Sequence, residues 1–217
     1  MIDRFLTPPA NISTTAVAAN LTSITGALTA AKLAKTVDTT PDVTIFAPSN
    51  MAFQAIGSAL GNLSTPDLTS ILGYHVINGT VGYSSTLTNM SLQTVNGANV
   101  TITVENGTVF VNSAKVIIPD VLVANGVVHV IDNVLNPMNT TATPNPSMAT
   151  QMPAFSGASS ASNVPFTSGV PTPTGAVATS AGGGQSSSSS KAAAMPMKTG
   201  AFGAAALFGG AAFVYNM

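Results

Sequence analysis

The chain has 217 residues, a formal charge of −1 and only 6% charged residues, against roughly 25% in an ordinary soluble domain. It has no basic field to hold nucleic acid or an anionic membrane. The absence of cysteine excludes a disulfide framework, thiolate metal ligands and a thiol nucleophile. Solubility on so little charge points to attached sugar, and a domain above about 100 residues builds a core without disulfides. Met1-Ile2-Asp3-Arg4 shows no basic segment followed by an apolar run, so no secretory signal is visible there. The remainder looks secreted, and the sequence is read as starting inside a longer protein.

Val17, Leu21, Ile24 and Leu28 recur at helical spacing and predict one amphipathic helix over about 14–36. Val43-Thr44-Ile45-Phe46 reads as a short strand. Pro48-Ser49-Asn50 then caps a helix with Phe53, Ile56 and Leu60 on one stripe. Thr65 before Pro66 opens a third helix carrying Leu68, Ile71 and Leu72, since proline suits the first helical turn. That helix is expected to end near Gly73, with Tyr74-His75-Val76-Ile77 as a strand. Val100, Ile102 and Val104 alternate with polar residues, and Asn106-Gly107 separates them from Thr108-Val109-Phe110-Val111, which is a hairpin signature. Asn78-Gly79, Asn96-Gly97 and Asn125-Gly126 repeat the punctuation, and Val127–Ile131 is the last strand. The pattern predicts an α+β domain with a largely antiparallel or mixed sheet.

All seven acidic residues lie at or before Asp132, and after Pro137 only Lys191 and Lys198 are charged. The domain is therefore placed at 10–137. A Ser/Thr/Pro-rich, disordered and O-glycosylated stalk is expected over 138–190. Ile2-Asp3-Arg4-Phe5-Leu6-Thr7-Pro8-Pro9 echoes Ile131-Asp132-Asn133-Val134-Leu135-Asn136-Pro137, so residues 1–9 read as the end of a preceding copy of the domain.

Three ordered segments resemble the signature boxes of the fasciclin domain family. They are Thr44-Ile45-Phe46-Ala47-Pro48-Ser49-Asn50-Met51-Ala52-Phe53, then Ile71-Leu72-Gly73-Tyr74-His75-Val76, then Asn125-Gly126-Val127-Val128-His129-Val130-Ile131-Asp132. The resemblance covers about 12–137. It implies a twisted β-wedge packed with several short helices, and a role in cell adhesion or matrix attachment. It also implies partner contacts at Asp120-Val121, matching an Asp-Ile pair implicated in integrin binding in some animal members, and at Tyr74-His75. The alternative for Tyr74-His75 is structural, because a histidine opening an apolar strand more often hydrogen-bonds backbone.

N-glycosylation acceptors occur at Asn11, Asn20, Asn62, Asn78, Asn89, Asn99, Asn106 and Asn139, eight of seventeen asparagines. Asn78 and Asn106 start turns, while Asn20 lies near an apolar stripe. The uncharged apolar run 201–215 is short for a membrane span, which needs about 20 residues. With a polar spacer before it and small residues before that, it matches a GPI-anchor signal. The attachment residue is expected among Ser187, Ser188, Ser189 and Ser190.

An enzyme is not expected. His75 and His129 are the only histidines, and both lie in apolar runs. Asp120, Asp132 or Glu105 would have to converge on them, and no nucleophile elbow or phosphate loop is present. No catalytic residue, metal or cofactor is assigned. The expected partners are a cell-surface or matrix protein or glycan, the membrane through the lipid anchor, and no nucleic acid, with self-association open. A structural wall or matrix glycoprotein that binds glycan without a specific protein receptor is the second reading.

Overall fold

The structure is a computed structural model and describes residues 9–171. Three helices come first, α1 (Ile12–Ala18), α2 (Thr22–Ala30) and α3 (Ala34–Thr39), followed by strand β1 (Val43–Pro48). Helices α4 (Asn50–Ala55), α5 (Gly57–Leu60) and α6 (Thr65–Tyr74) follow. Strands β2 (Val76–Asn78), β3 (Met90–Gln93), β4 (Asn99–Glu105), β5 (Thr108–Val111), β6 (Ala114–Val123) and β7 (Gly126–Ile131) complete the domain.

The single helix expected over 14–36 is three helices. Asn20 and Lys32 take left-handed conformations, each with φ of 59°. At the first break the Leu21 amide donates to Ala16 O, and at the second the Leu33 amide donates to Leu28 O, both at 2.8 Å. These are Schellman closures, which satisfy the last carbonyls and turn the chain. The bend keeps Leu21, Ile24 and Leu28 in one core although the axis changes. Helix α6 matches its sequence signal more fully: Ser64 caps it, Asp67 returns the bond to complete a capping box, and Pro66 lies in the first turn. It runs one residue beyond Gly73, so Tyr74 is its last residue and His75 its C-cap. The expected strand starts only at Val76.

The seven strands form one sheet in the order β2-β1-β7-β6-β5-β4-β3. β1 and β7 pair in parallel, from Val43↔Gly126 to Pro48↔Ile131, and the other pairings are antiparallel. Every residue of β1 is buried, as a parallel strand covered on both faces must be. Val43, Ile45 and Ala47 face the helices with Val128 and Val130. Phe46 and Ile131 face a second core with Tyr74, Val100 and Ile102. The hairpin expected at Asn106-Gly107 is present, with φ of 50° and 75° at its two residues. Strand β3 alternates half-buried Met90 and Leu92 with exposed Ser91 and Gln93, whereas β6 carries no clear alternation. β6 breaks its pairing register twice, between Val116 and Val121, and Asp120 there has φ of 57°.

The described part of the segment read as a stalk is a strap on the domain. The Asp132 carboxylate accepts from the Gln151 amide at 3.0 Å, and Asn133 Nδ2 donates to Met152 O at 2.5 Å. Gln151 and Ala154 are buried. Farther on, Ala161 N donates to Gln54 O at 2.9 Å and Ser23 Oγ to Pro165 O at 2.9 Å. The contrast with the sequence reading has a simple cause: the strap makes single side-chain and backbone bonds at isolated points, which leave no periodic pattern. Residues 172–190 of the expected stalk, the anchor signal and residues 1–8 lie outside the described residues.

Gly126 opens β7 with no positive φ, and its constraint is space. A Cβ there would lie 1.9 Å from Val43 O. Gly126→Ala is expected to destabilise the domain by about 1–3 kcal/mol through forced separation of β1 and β7. Urea denaturation with an unchanged m-value checks this.

Candidate functional site

The Tyr-His pair is buried. Tyr74 is 0% and His75 is 1% exposed, so neither side chain reaches a partner, and the expected direct contact is corrected to a structural role. The Tyr74 hydroxyl donates to Asn99 O at 2.8 Å and accepts from Asn112 Nδ2 at 2.9 Å. This ties the end of α6 to strand β4 and the β5–β6 turn. Burial raises the Tyr74 pKa, against the Asn112 hydrogen bond.

His75 joins two chain segments far apart in sequence. Nδ1 lies 2.7 Å from Ile71 O, and Nε2 accepts from the Leu135 amide at 2.9 Å. An amide can only donate, so Nε2 is bare and Nδ1 carries the proton toward Ile71. The ring is therefore neutral. Burial pushes its pKa down to about 4, with the Ile71 bond acting in the other direction.

His129 on β7 is built the same way. Its Nδ1 accepts from the Asp120 amide at 3.3 Å, and Nε2 lies 2.7 Å from Gly82 O, to which it donates. Its ring stacks on Phe46 at 5.7 Å. Burial lowers its pKa, and the Gly82 bond and the Asp120 charge oppose the shift. The Asp120 carboxylate accepts from the Ser84 amide at 2.8 Å and from the Ser84 hydroxyl. Burial acts to raise the Asp120 pKa, but the Ser84 bonds outweigh it and the net shift is downward. Asp120 and His129 thus clamp the loop 79–89 onto β6. Both imidazoles spend both nitrogens on the backbone, which leaves neither as a free base.

Of the other acidic residues considered, Asp132 accepts from Lys115 N and Gln151 N, and Glu105 is exposed at the end of β4. The structure brings only Asp120 to a histidine. No group of three potential metal ligands occurs among the described residues.

Val121 packs partly against the helix-side core, so its neighbours form the accessible surface. Ile117, Ile118 and Leu122 are 46%, 48% and 56% exposed. Pro119 is exposed between them. Leu122 and Tyr83 also line one groove of about 450 Å³ together with Pro41 and Asn125. The double register break of β6 produces this ridge: it turns apolar residues outward that a regular strand would alternate inward. The sequence pointed to Asp120-Val121 and missed Ile117, Ile118, Leu122 and Tyr83. The run Val116-Ile117-Ile118-Pro119 was the signal for the two isoleucines.

Asn11, Asn20, Asn62, Asn78, Asn89, Asn99 and Asn106 are all exposed, and Asn139 is half-buried. Asn20, the one near an apolar stripe, projects from the turn between α1 and α2. The anchor candidates Ser187–Ser190 lie outside the described residues.

A seven-stranded mixed sheet between two cores, with both histidines bonded to backbone, is the frame that holds these residues. The fasciclin domain family model matches residues 19–137, and the chain belongs to the fasciclin domain family. A "Fasciclin-like arabinogalactan protein" from Arthroderma benhamiae is 39% identical over 177 residues, covering 82% of this chain and 42% of that protein. The chain thus spans less than half the length of this curated relative. A solved FAS1 domain pair from the insect cell adhesion molecule Fasciclin I aligns at 26% identity and a TM-score of 0.44, over 54% of this chain and 46% of that one.

The His75 geometry fixes a pH response. Its folded pKa, about 4, lies below the unfolded value of 6.5, so between them the unfolded chain holds more protons. Stability is full above pH 6.5 and falls as pH drops toward 4, by about 3 kcal/mol from this group. His75→Phe is expected to lose about 1–3 kcal/mol at neutral pH, because the Leu135 amide loses its partner. It should also flatten the slope between pH 4 and 6.5. Urea titrations across that range check both effects.

Proposed function

We propose that the protein is a cell-surface glycoprotein that mediates cell adhesion or matrix attachment, and that the β6 ridge around Asp120 and Val121 is its contact surface. The observation that carries this reading is the exposure of Ile117, Ile118 and Leu122 along β6, on either side of Asp120 and Val121. Several large apolar side chains exposed along one strand are a feature that marks interaction sites. Family membership and the fungal relative support the adhesive class and the extracellular setting. The partner class is a cell-surface or matrix protein.

Replacing Ile118 and Leu122 together by lysine is expected to reduce attachment of cells displaying the protein about tenfold or more, as for a desolvated hot spot. The thermal unfolding midpoint should hold. Attachment equal to the wild type removes the ridge from the contact, and unchanged attachment in cells lacking the protein removes the adhesive role.

The second reading is a wall or matrix glycoprotein that binds glycan without a specific protein receptor. The seven exposed acceptor asparagines favour it. A glycan array with the full chain separates the two, since protein capture without glycan binding eliminates this version.

Anchorage is proposed through a GPI lipid attached at one of Ser187–Ser190, on the pattern of small residues, spacer and apolar tail. Treatment of intact cells with phosphatidylinositol-specific phospholipase C should release the protein. Retention in the detergent phase after complete digestion would rule the lipid out.

A further inference from the structure

The strap meets the helices through a fitted groove. In α2 a Cβ on Gly26 would lie 1.7 Å from Phe166 O, and at the start of α5 one on Gly57 would lie 2.2 Å from the Ala161 Cβ. Ser58 N donates to Ser159 O at 3.1 Å, and Ser159 N donates back to Ser58 Oγ at 2.8 Å. Gln54 Nε2 donates to Ala161 O at 3.2 Å, beside the Ala161 N to Gln54 O bond. The Phe166 ring meets Phe53 edge-on at 6.1 Å. The face of α2, α4 and α5 therefore reads an extended segment in three ways: backbone pairing at Ser159 and Ala161, close approach at two glycines, and an aromatic contact.

We propose that this face is a self-recognition groove, filled in the isolated chain by its own residues 159–166 and between chains by the same residues of a second copy. The contacts are identical in the two cases, so exchange requires only that the strap swing out. Its hinge is the turn closed by Ala158 N to Phe155 O at 3.3 Å, with Gly157 at φ of 77°. The preceding part, residues 151–154, stays tied to Asp132, Asn133 and Asn136. The strap forms no sheet ladder and no helix, so opening it breaks no element of the domain and removes only Phe166 and Ala158 from the edge of the helix-side core. Exchange of an identical element is a low-cost route to association, and confinement to a surface raises the effective concentration that favours it. The proposal rests on the surface-adhesion reading only for that confinement and names a second copy as partner.

Complementation between two full-length variants tests it. Gly26→Ala removes the room for the strap while suiting helix α2, so it gives a chain with a free strap and a closed groove. Ala161→Asp with Phe166→Asp gives an open groove and an inactive strap. By sedimentation each variant alone should be monomeric, and the mixture should form a one-to-one complex.

A mixture that stays monomeric, while hydrogen exchange shows the Ser159 and Ala161 amides of Gly26→Ala exposed, overturns the proposal. If those amides remain protected, a labelled peptide of residues 157–168 decides. Binding to the strap-inactive chain, at least tenfold tighter than to wild type, supports the groove, and no binding overturns it. Cells bearing the strap-inactive chain that adhere like wild type exclude exchange as the adhesive contact. Adhesion lost on removing the whole protein tests the adhesion reading separately.

Discussion

The parallel pairing of β1 with β7 is the constraint on which the rest of the domain depends. It joins the first strand to the last, so the chain between them must fold to either side of one doubly buried pair. A strand buried on both faces must be apolar throughout, and Val43-Thr44-Ile45-Phe46-Ala47-Pro48 meets that demand with one exception. The Thr44 hydroxyl is covered by donating to Thr80 O at 2.7 Å and accepting from the Gly82 amide at 2.8 Å. The close approach at Gly126 starts the register, and the Ser49 amide closes it by donating to Ile131 O at 3.0 Å.

The two histidines work as fasteners around that pair. His75 reaches across the second core to the backbone just after β7, and its own carbonyl accepts from the Phe46 amide at 2.9 Å. His129 holds loop 79–89 and the bulge of β6. A neutral imidazole suits this work because it donates on one side and accepts on the other. Protonation would turn an acceptor into a donor facing an amide. These residues hold in place the surface proposed to make contact, without forming it. The ridge exists because His129 and Asp120 stabilise an irregular β6, and irregularity turns Ile117 and Ile118 toward solvent.

The surface is divided among distinct uses. Acceptor asparagines occupy the N-cap of α1, the α1–α2 turn, the α5–α6 loop, strand β2, the residue before β3, strand β4 and the β4–β5 hairpin. None falls within β6 or β7, and none within the strap beyond Asn139. On the proposed reading, sugar at those positions would cover a low-charge surface and leave the β6 surface and the strap groove open to other chains.

The sequence by itself determined the class and most of the elements. Patterns legible one element at a time were read correctly: the capped helix at Thr65, the alternation of Val100 and Ile102, the Asn106-Gly107 hairpin and the buried last strand. Three ordered boxes carried the family. Only tertiary structure decided the rest, because it depends on partners distant in the chain. Tyr74 and His75 became interior once their hydrogen-bond partners at Asn99, Asn112 and Leu135 were in place. The β6 ridge depends on a bulge held by His129. The strap depends on space left by Gly26 and Gly57 more than a hundred residues earlier. Periodicity records what a residue does for its own helix or strand, and it holds no record of a single bond made across the fold.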